Sequence, residues 1–426
     1  MGKYRLYCPS CKTSFADVFT NICPRCGPTG SLIKTDYQDK KFKPLNVSGF
    51  WKFLPWLPCS DLKDEFDSGT VVYMSTGLAR ELGLKKLYIA FNGYWPEKNA
   101  KMITCTFKEL EAPPTFQRAV EKCIDNLVIA SAGNTAKAFI HSAQYFNIKL
   151  FVVVPYNCKG RLALPFEKPE NVTIIAVNKG SDYSDSISFA SRISNELNIV
   201  NEGGARNVAR RDGMGTVMLE AVRYMGKLPD HYFQAVGSGT GAIAAFEASE
   251  RILATSQRAN RLPKLHLSQN VPFTPIVDSW HDGSNKLKPL AESEQREAIA
   301  KVFAKVLTNR HPPYSVGGGV FDILSLSKGE MYGITNKEAH SAAKLFESTE
   351  GIDLVPAASV CVASLVQALE KNTINDNETV LLNITGGGEK RLWEDFEVIK
   401  AEPDLICDDA VDMQELKSNL EALHAK

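Results

Sequence analysis

Tyr232-Phe233-Gln234-Ala235-Val236, then Gly237-Ser238-Gly239-Thr240-Gly241, then Ala242 to Ile252, read as a strand, a glycine loop and a helix in succession. The strand is a short, mostly apolar run of the kind that is buried on both faces of a sheet. The loop lies where strand gives way to helix. Backbone N–H groups and the helix dipole converge there and favour a phosphate, and glycines let the backbone come close to it. As a dinucleotide fingerprint the loop is poor, because G-x-G-x-x-G requires glycine at Ala242. A tight packing turn is the other reading of the same residues.

The order repeats on either side. Leu87 to Phe91, Leu127 to Ala130, Leu150 to Val154, Val172 to Val177 and Val380 to Ile384 are apolar strand runs. Helical patterns cover Gly77 to Leu84, the stretch from Lys108 toward Lys122, the residues from Ala136 on, and Tyr183 to Leu197. Alternation of this kind predicts parallel sheets covered on both faces by helices. The carboxy ends of such strands are where ligands sit, so Ser131-Ala132-Gly133-Asn134-Thr135 and Thr385-Gly386-Gly387-Gly388 join the glycine loop as candidate ligand loops. Thr35 to Phe66, rich in Lys, Pro and aromatics, reads as an irregular arm, and Met413 to His424 as a polar amphipathic tail helix.

A chain of 426 residues is too long for one ordinary core, so two or three domains are expected. Its 49 Lys+Arg balance 49 Asp+Glu, which leaves no footprint of a general nucleic-acid binder. The most apolar long window, Leu354 to Leu369, is interrupted by Pro356 and Gln367 and is too short for a membrane span. The start, Met1-Gly2-Lys3-Tyr4-Arg5, carries no signal-peptide pattern, and a cytoplasmic protein is expected. Four of the ten cysteines, Cys8, Cys11, Cys23 and Cys26, form two Cys-Pro-x-Cys knuckles. That pairing predicts a structural zinc ribbon over residues 1–35, a segment with little other core material. A degenerate knuckle without metal is the alternative, since the spacing between the pairs is short.

One lysine stands out: Lys108, in Thr104-Cys105-Thr106-Phe107-Lys108-Glu109-Leu110-Glu111-Ala112. In a partly desolvated pocket its amine has a lowered pKa and can form a Schiff base; on the surface it is an ordinary helix-start lysine. Asn134 reads either as a ligand-directed residue or as a helix cap. Lys159, Arg161, Arg206, Arg210, Arg211 and Lys390 are the basic residues available to hold a phosphorylated substrate. No histidine pair has metal spacing on a helix face, and Cys105 has no identifiable base and reads as packing.

Lys108, the Asn134 loop, the glycine loop and Thr385 occur in the order of the fold type II enzymes that use pyridoxal 5'-phosphate, and about Ser75 to Leu392 resembles threonine synthase. The family's Ser-Phe-Lys-Asp-Arg motif appears as Thr106-Phe107-Lys108-Glu109-Leu110, its Ser-Gly-Asn-Thr-Ala loop as Ala132 to Ala136, and its Leu-Thr-Gly-x-Gly end as Ile384 to Gly388. The resemblance implies an α/β fold of the tryptophan synthase beta type: two three-layer, parallel-sheet domains with the site between them, plus the ribbon. Residues 36–110 with 225–405 form the large, cofactor-binding domain, 111–224 a smaller mobile domain, and 406–426 the tail.

It also implies roles. Lys108 carries the cofactor and acts as general base, Asn134 meets the cofactor's ring oxygen, residues Gly237, Ser238, Gly239, Thr240 and Gly241 bind its phosphate, and Thr385 faces the pyridine nitrogen. Ser131, Ala132, Gly133 and Thr135 close on the substrate carboxylate, while Lys159, Arg206, Arg210 and Arg211 are the candidates for the substrate's anionic groups. Two departures, Glu109-Leu110 for Asp-Arg and Val355 for the glutamate before Pro356, set the chain apart from threonine synthesis, and Thr106 to Ala112 with the cysteine-knuckle start most resembles the cysteate-forming branch of the family. That branch replaces the phosphate of O-phospho-L-serine with sulfite in coenzyme M biosynthesis, and a homo-oligomer is expected. Threonine formation from O-phospho-L-homoserine, use of sulfide, and a zinc-ribbon binding protein with an inactive body remain as alternatives.

Overall fold

The computed structural model describes residues 2–61, 66–131, 133–178, 180–255 and 261–424. Two sheets organise it. The larger has six strands in the order Glu330–Ile334, Lys264–Asn270, His231–Ala235, Val380–Ile384, Leu87–Phe91 and Val71–Met74. All neighbours are parallel except the last pair. The smaller has five parallel strands in the order Val200–Asn201, Asn126–Ala130, Lys149–Pro155, Val172–Val177 and Leu405–Cys407. All six side chains of Val172–Val177 are buried, as a strand covered on both faces requires.

The helix Pro356–Glu370 lies against the larger sheet, its buried face running from Ala357 to Ala368. On the other side the helices Val208–Met225 and Thr240–Thr255 pack closely, and a Cβ at Gly215 would stand 3.2 Å from the Ala244 carbonyl oxygen. The expected helix from Lys108 is in fact two pieces. A 3₁₀ turn, Phe107–Leu110, capped by the Thr106 side chain on the Lys108 N–H, precedes an α-helix, Ala112–Glu121. Pro113 and Pro114 set that start, because proline lacks an N–H and fits only the first turn of a helix.

The amino terminus forms a three-stranded antiparallel sheet of Tyr4–Tyr7, Ser14–Phe15 and Lys34–Tyr37. The arm after it is fixed by a 3₁₀ helix, Phe50–Trp56, that buries Phe50, Trp51, Phe53 and Trp56. At the other end, the tail helix Met413–His424 places Met413, Leu416 and Leu420 against Phe189, Ala190 and Ile193, and the strand before it, Leu405–Cys407, completes the smaller sheet. Among the described residues no helix is long and apolar enough to cross a membrane.

Candidate active site

A single cleft brings together Lys108, Ser131, Gly133, Asn134, Thr135, residues 237–241 and Thr385, the four motifs that lie far apart in the chain. The Lys108 turn is fastened to the end of strand Val380–Ile384 by the Phe107 N–H, which donates to the Thr385 carbonyl at 3.0 Å. Lysine and threonine are thereby set side by side. The Asn134 loop is braced from within: Ser131 Oγ accepts from the Gly133 and Ala136 N–H groups at 3.0 and 2.9 Å, and Gly133 has φ +136°, which favours glycine. In the glycine loop, φ at Gly239 is +78°, and a Cβ at Gly241 would meet Gln234 Nε2 at 2.6 Å and the Phe107 ring at 2.8 Å. The loop and the Lys108 turn are in close contact, and the helix Thr240–Thr255 starts at the cleft.

Lys108 keeps 19% of its side-chain exposure. Burial holds its pKa below that of a free lysine; Glu111 works against that shift and Arg210 adds to it. Its Nζ lies 3.3 Å from Glu111 Oε2 and 3.7 Å from Met214 Sδ. Glu111 is fully buried and ties three elements together, since Thr135 Oγ1 donates to it at 3.1 Å and Arg210 Nη2 is 3.3 Å away. Arg210 Nε lies 3.0 Å from Glu202 Oε2, yet Nε, Nη2 and that carboxylate oxygen make no well-directed hydrogen bond among the described residues. Burial works against the Arg210 charge, but Glu111 and Glu202 outweigh it and raise its pKa; burial also pushes Glu202 and Tyr183 up. The cleft thus has a lysine amine of lowered pKa and a buried guanidinium with unused donors.

Among the described residues, Arg210 alone of the substrate-anion candidates lines the cleft. Arg206 points to the ribbon, donating to the Pro28 carbonyl at 2.7 Å, and Arg211 is buried against Glu247 and the carbonyls of Ala205 and Ile33. Helix periodicity explains the correction: neighbours on one helix leave it in different directions, so a run of arginines is divided among faces. Lys390 pairs with Glu347 on the surface, and Arg161 lines the two cavities next to the cleft. Ala132 and the Lys159 side chain lie outside the described residues.

The sequence reading left out Glu111, Tyr183, Gln234, Asn309 and Ala357, which share the cleft or its support. Glu111 stood three residues from Lys108, a spacing that puts two side chains on one face, and this was a usable signal. Gly213 was another: a Cβ there would stand 2.0 Å from the Leu110 carbonyl, so glycine lets the helix Val208–Met225 close on the Lys108 turn.

In the ribbon the four cysteine sulfurs lie within 4.8 Å of one another, with Cys8 to Cys26 at 3.9 Å and Cys11 to Cys23 at 3.7 Å. A tetrahedral zinc with bonds of about 2.3 Å needs sulfur–sulfur edges of about 3.8 Å, so the donor set fits one.

The pattern of the family described as "Pyridoxal-phosphate dependent enzyme" matches residues 68–386. Two solved structures share the fold: a pyridoxal 5'-phosphate-dependent aspartate racemase, at TM-score 0.58 and 15% identity over 75% of this chain and 90% of that one, and maize serine racemase, at TM-score 0.53 and 15% identity over 83% and 93%. The chain is a pyridoxal-phosphate-dependent enzyme of fold type II.

Among curated proteins it is 48% identical to the cysteate synthase of Methanocella arvoryzae over 95% of both chains. It is 44% identical to that of Methanosarcina acetivorans over 98% of this chain and all of the other. Within the pyridoxal-phosphate enzymes, then, the chain belongs to the cysteate synthase family.

Proposed function

We propose that the chain converts O-phospho-L-serine and sulfite to L-cysteate and phosphate, with Lys108 as the catalytic residue. The observation that carries this is the Lys108 amine, its pKa lowered by burial, in the cleft where all four motifs meet. Pyridoxal phosphate, when bound, supplies an electrophilic carbon that holds the amino acid and an electron sink that acidifies its α-carbon. The residues fit it: Gly237 to Gly241 with the helix start for the phosphate, Asn134 for the ring oxygen, and Thr385 for the pyridine nitrogen. A threonine hydroxyl there leaves that nitrogen unprotonated and moderates the sink, which suits replacement at the β-carbon.

Lys108, once its amine is free, takes the α-proton and later returns it, and Glu111 at 3.3 Å keeps it oriented between those events. Gly133, Thr135 and the loop braced by Ser131 bind the substrate carboxylate, and the spare donors of Arg210 bind its phosphate. The smaller domain, residues 111–224 together with the strand Leu405–Cys407 and the tail helix packed on it, carries that loop and closes over the substrate. Zinc in the four-cysteine ribbon holds structure only, because a four-thiolate site has no open position. The enzyme acts in the cytoplasm, in coenzyme M biosynthesis, as a homo-oligomer.

The test is purified enzyme given phosphoserine with sulfite, with sulfide or with no nucleophile, and O-phospho-L-homoserine in a fourth tube. Cysteate is expected in the sulfite tube, and threonine from phosphohomoserine with no cysteate from sulfite overturns the reading. Metal analysis checks the zinc, and size measurement in solution the oligomer.

A further inference from the structure

A second cavity, of about 290 Å³, adjoins the cofactor cleft, with Asn134, Val306 and Ala357 in the walls of both. Among the described residues its lining has three cations, Lys137, Arg161 and Lys305, and one carboxylate, Glu389. Val355, Pro356 and Trp393 add apolar surface, against which charge is weakly screened. Lys137 and Lys305 have no part in the catalytic steps proposed above.

Lys137 calls for an acceptor. It lies on the helix Asn134–Ala143, three residues after Asn134 and so on the same face. Its side chain is 9% exposed, and the ammonium makes no hydrogen bond among the described residues. Its partner is Glu389 Oε1 at 3.6 Å, outside hydrogen-bond range, on a residue that is itself 36% exposed. An ammonium with three donors, on a mostly buried side chain and with no protein acceptor in range, takes its acceptors from what fills the cavity it lines. Lys305 differs, because its Nζ already donates to the carbonyls of Ile299 and Ala300 at 2.9 and 2.6 Å and forms a fixed positive wall.

We propose that this cavity binds a small divalent oxyanion, and that in the reaction it is the incoming sulfite, held by Lys137 beside the cleft. This rests on the substrates proposed above. A nucleophile held close by while the phosphoryl group or the released phosphate still occupies the cleft needs a place that the leaving group does not fill. Arg210 lines the cleft and not this cavity, Lys137 lines this cavity and not the cleft, and the two cations divide the two anions between them.

The test uses the holoenzyme. Lys137→Met is expected to raise the KM for sulfite at least about tenfold, with the KM for phosphoserine and the cofactor absorbance unchanged. Lys137→Arg recovers most of that loss, and Glu389→Gln, which removes the competing carboxylate, lowers the KM for sulfite. A sulfite KM unchanged in Lys137→Met overturns the proposal. So does an equal rise in the phosphoserine KM, which assigns the cavity to the departing phosphate. If the parent enzyme forms no cysteate, the substrate reading fails, and calorimetric titration with sulfite and with sulfate judges the cavity by itself. Binding lost in Lys137→Met and kept in Lys137→Arg supports an anion site, and equal binding in all three proteins refutes it.

Discussion

Arg118 and Arg210 are both almost wholly buried, at 0% and 4% exposure, and they differ in what they hydrogen-bond. Arg118 spends every nitrogen. Nε and Nη2 clasp Asp17 at 2.7 Å each, Nη2 also reaches the Thr20 carbonyl, and Nη1 donates to Asn207 and Asn21. Arg210 is ion-paired to Glu111 and Glu202, yet its Nε and Nη2 make no well-directed hydrogen bond among the described residues. A satisfied buried arginine fixes one arrangement, here the docking of the ribbon on the helix Ala112–Glu121. An unsatisfied one keeps donors ready for a ligand. The difference separates structure from function within one neighbourhood.

The largest expected effect lies on the Arg210 side. Lys108→Ala abolishes the visible cofactor absorbance and lowers turnover by at least about 10⁴-fold, since the covalent anchor and the base are one group. Thermal stability of the cofactor-free protein should change little. Next comes Arg118→Ala, which leaves Asp17 buried without its partner and costs about 3–5 kcal/mol, read by denaturant unfolding. Arg210→Lys reverses that pattern: a cation stays between Glu111 and Glu202 while the guanidinium fork is lost, so kcat/KM for phosphoserine falls about 10²-fold and stability changes by about 1 kcal/mol. Loss of stability equal to that of Arg118→Ala would erase the contrast between the two arginines.

The smallest effect concerns Glu109, the residue beside Lys108. Burial raises its pKa from the ordinary 4.5 to about 7. The folded protein therefore holds this proton more tightly than the unfolded chain, so stability from this group is full below about pH 4.5 and is lost as pH rises toward 7. Glu109→Gln is expected to be more stable than the parent at pH 8 by up to about 3 kcal/mol, a difference that vanishes near pH 4.5. His141, 3.9 Å away, is pushed down to about 4 by burial, so it costs stability as pH falls; it does so in both proteins and cancels from the comparison. Equal pH profiles for the two proteins would show that Glu109 is ionised in the fold.

Strands that are continuous apolar runs were legible: Leu87–Phe91, Val172–Val177 and Val380–Ile384 are as the residues suggest. Lys264–Asn270 was not. It buries His266, Ser268, Gln269 and Asn270, whose side chains bond Tyr332, the N–H groups of Ile276, Val277 and Ala304, and the Ile334 carbonyl. Such polarity looks like a loop until its partners are known. Leu405–Cys407 escaped for a different reason. A three-residue edge strand gains its identity from the strand it pairs with, Val172–Val177, some 230 positions earlier.

The sequence by itself determined the apolar sheet-forming runs, the three ligand loops and the lysine, because each is a local pattern of residue type and spacing. Tertiary structure decided which cations serve the site. Arg206, Arg210 and Arg211 are near neighbours of one type, yet one meets the ribbon surface, one the cleft and one a buried glutamate. Lys137, silent in the sequence, gained its meaning from a wall built by residues more than 160 positions later. Charge in a protein is defined by what surrounds it, and those surroundings come from distant parts of the chain.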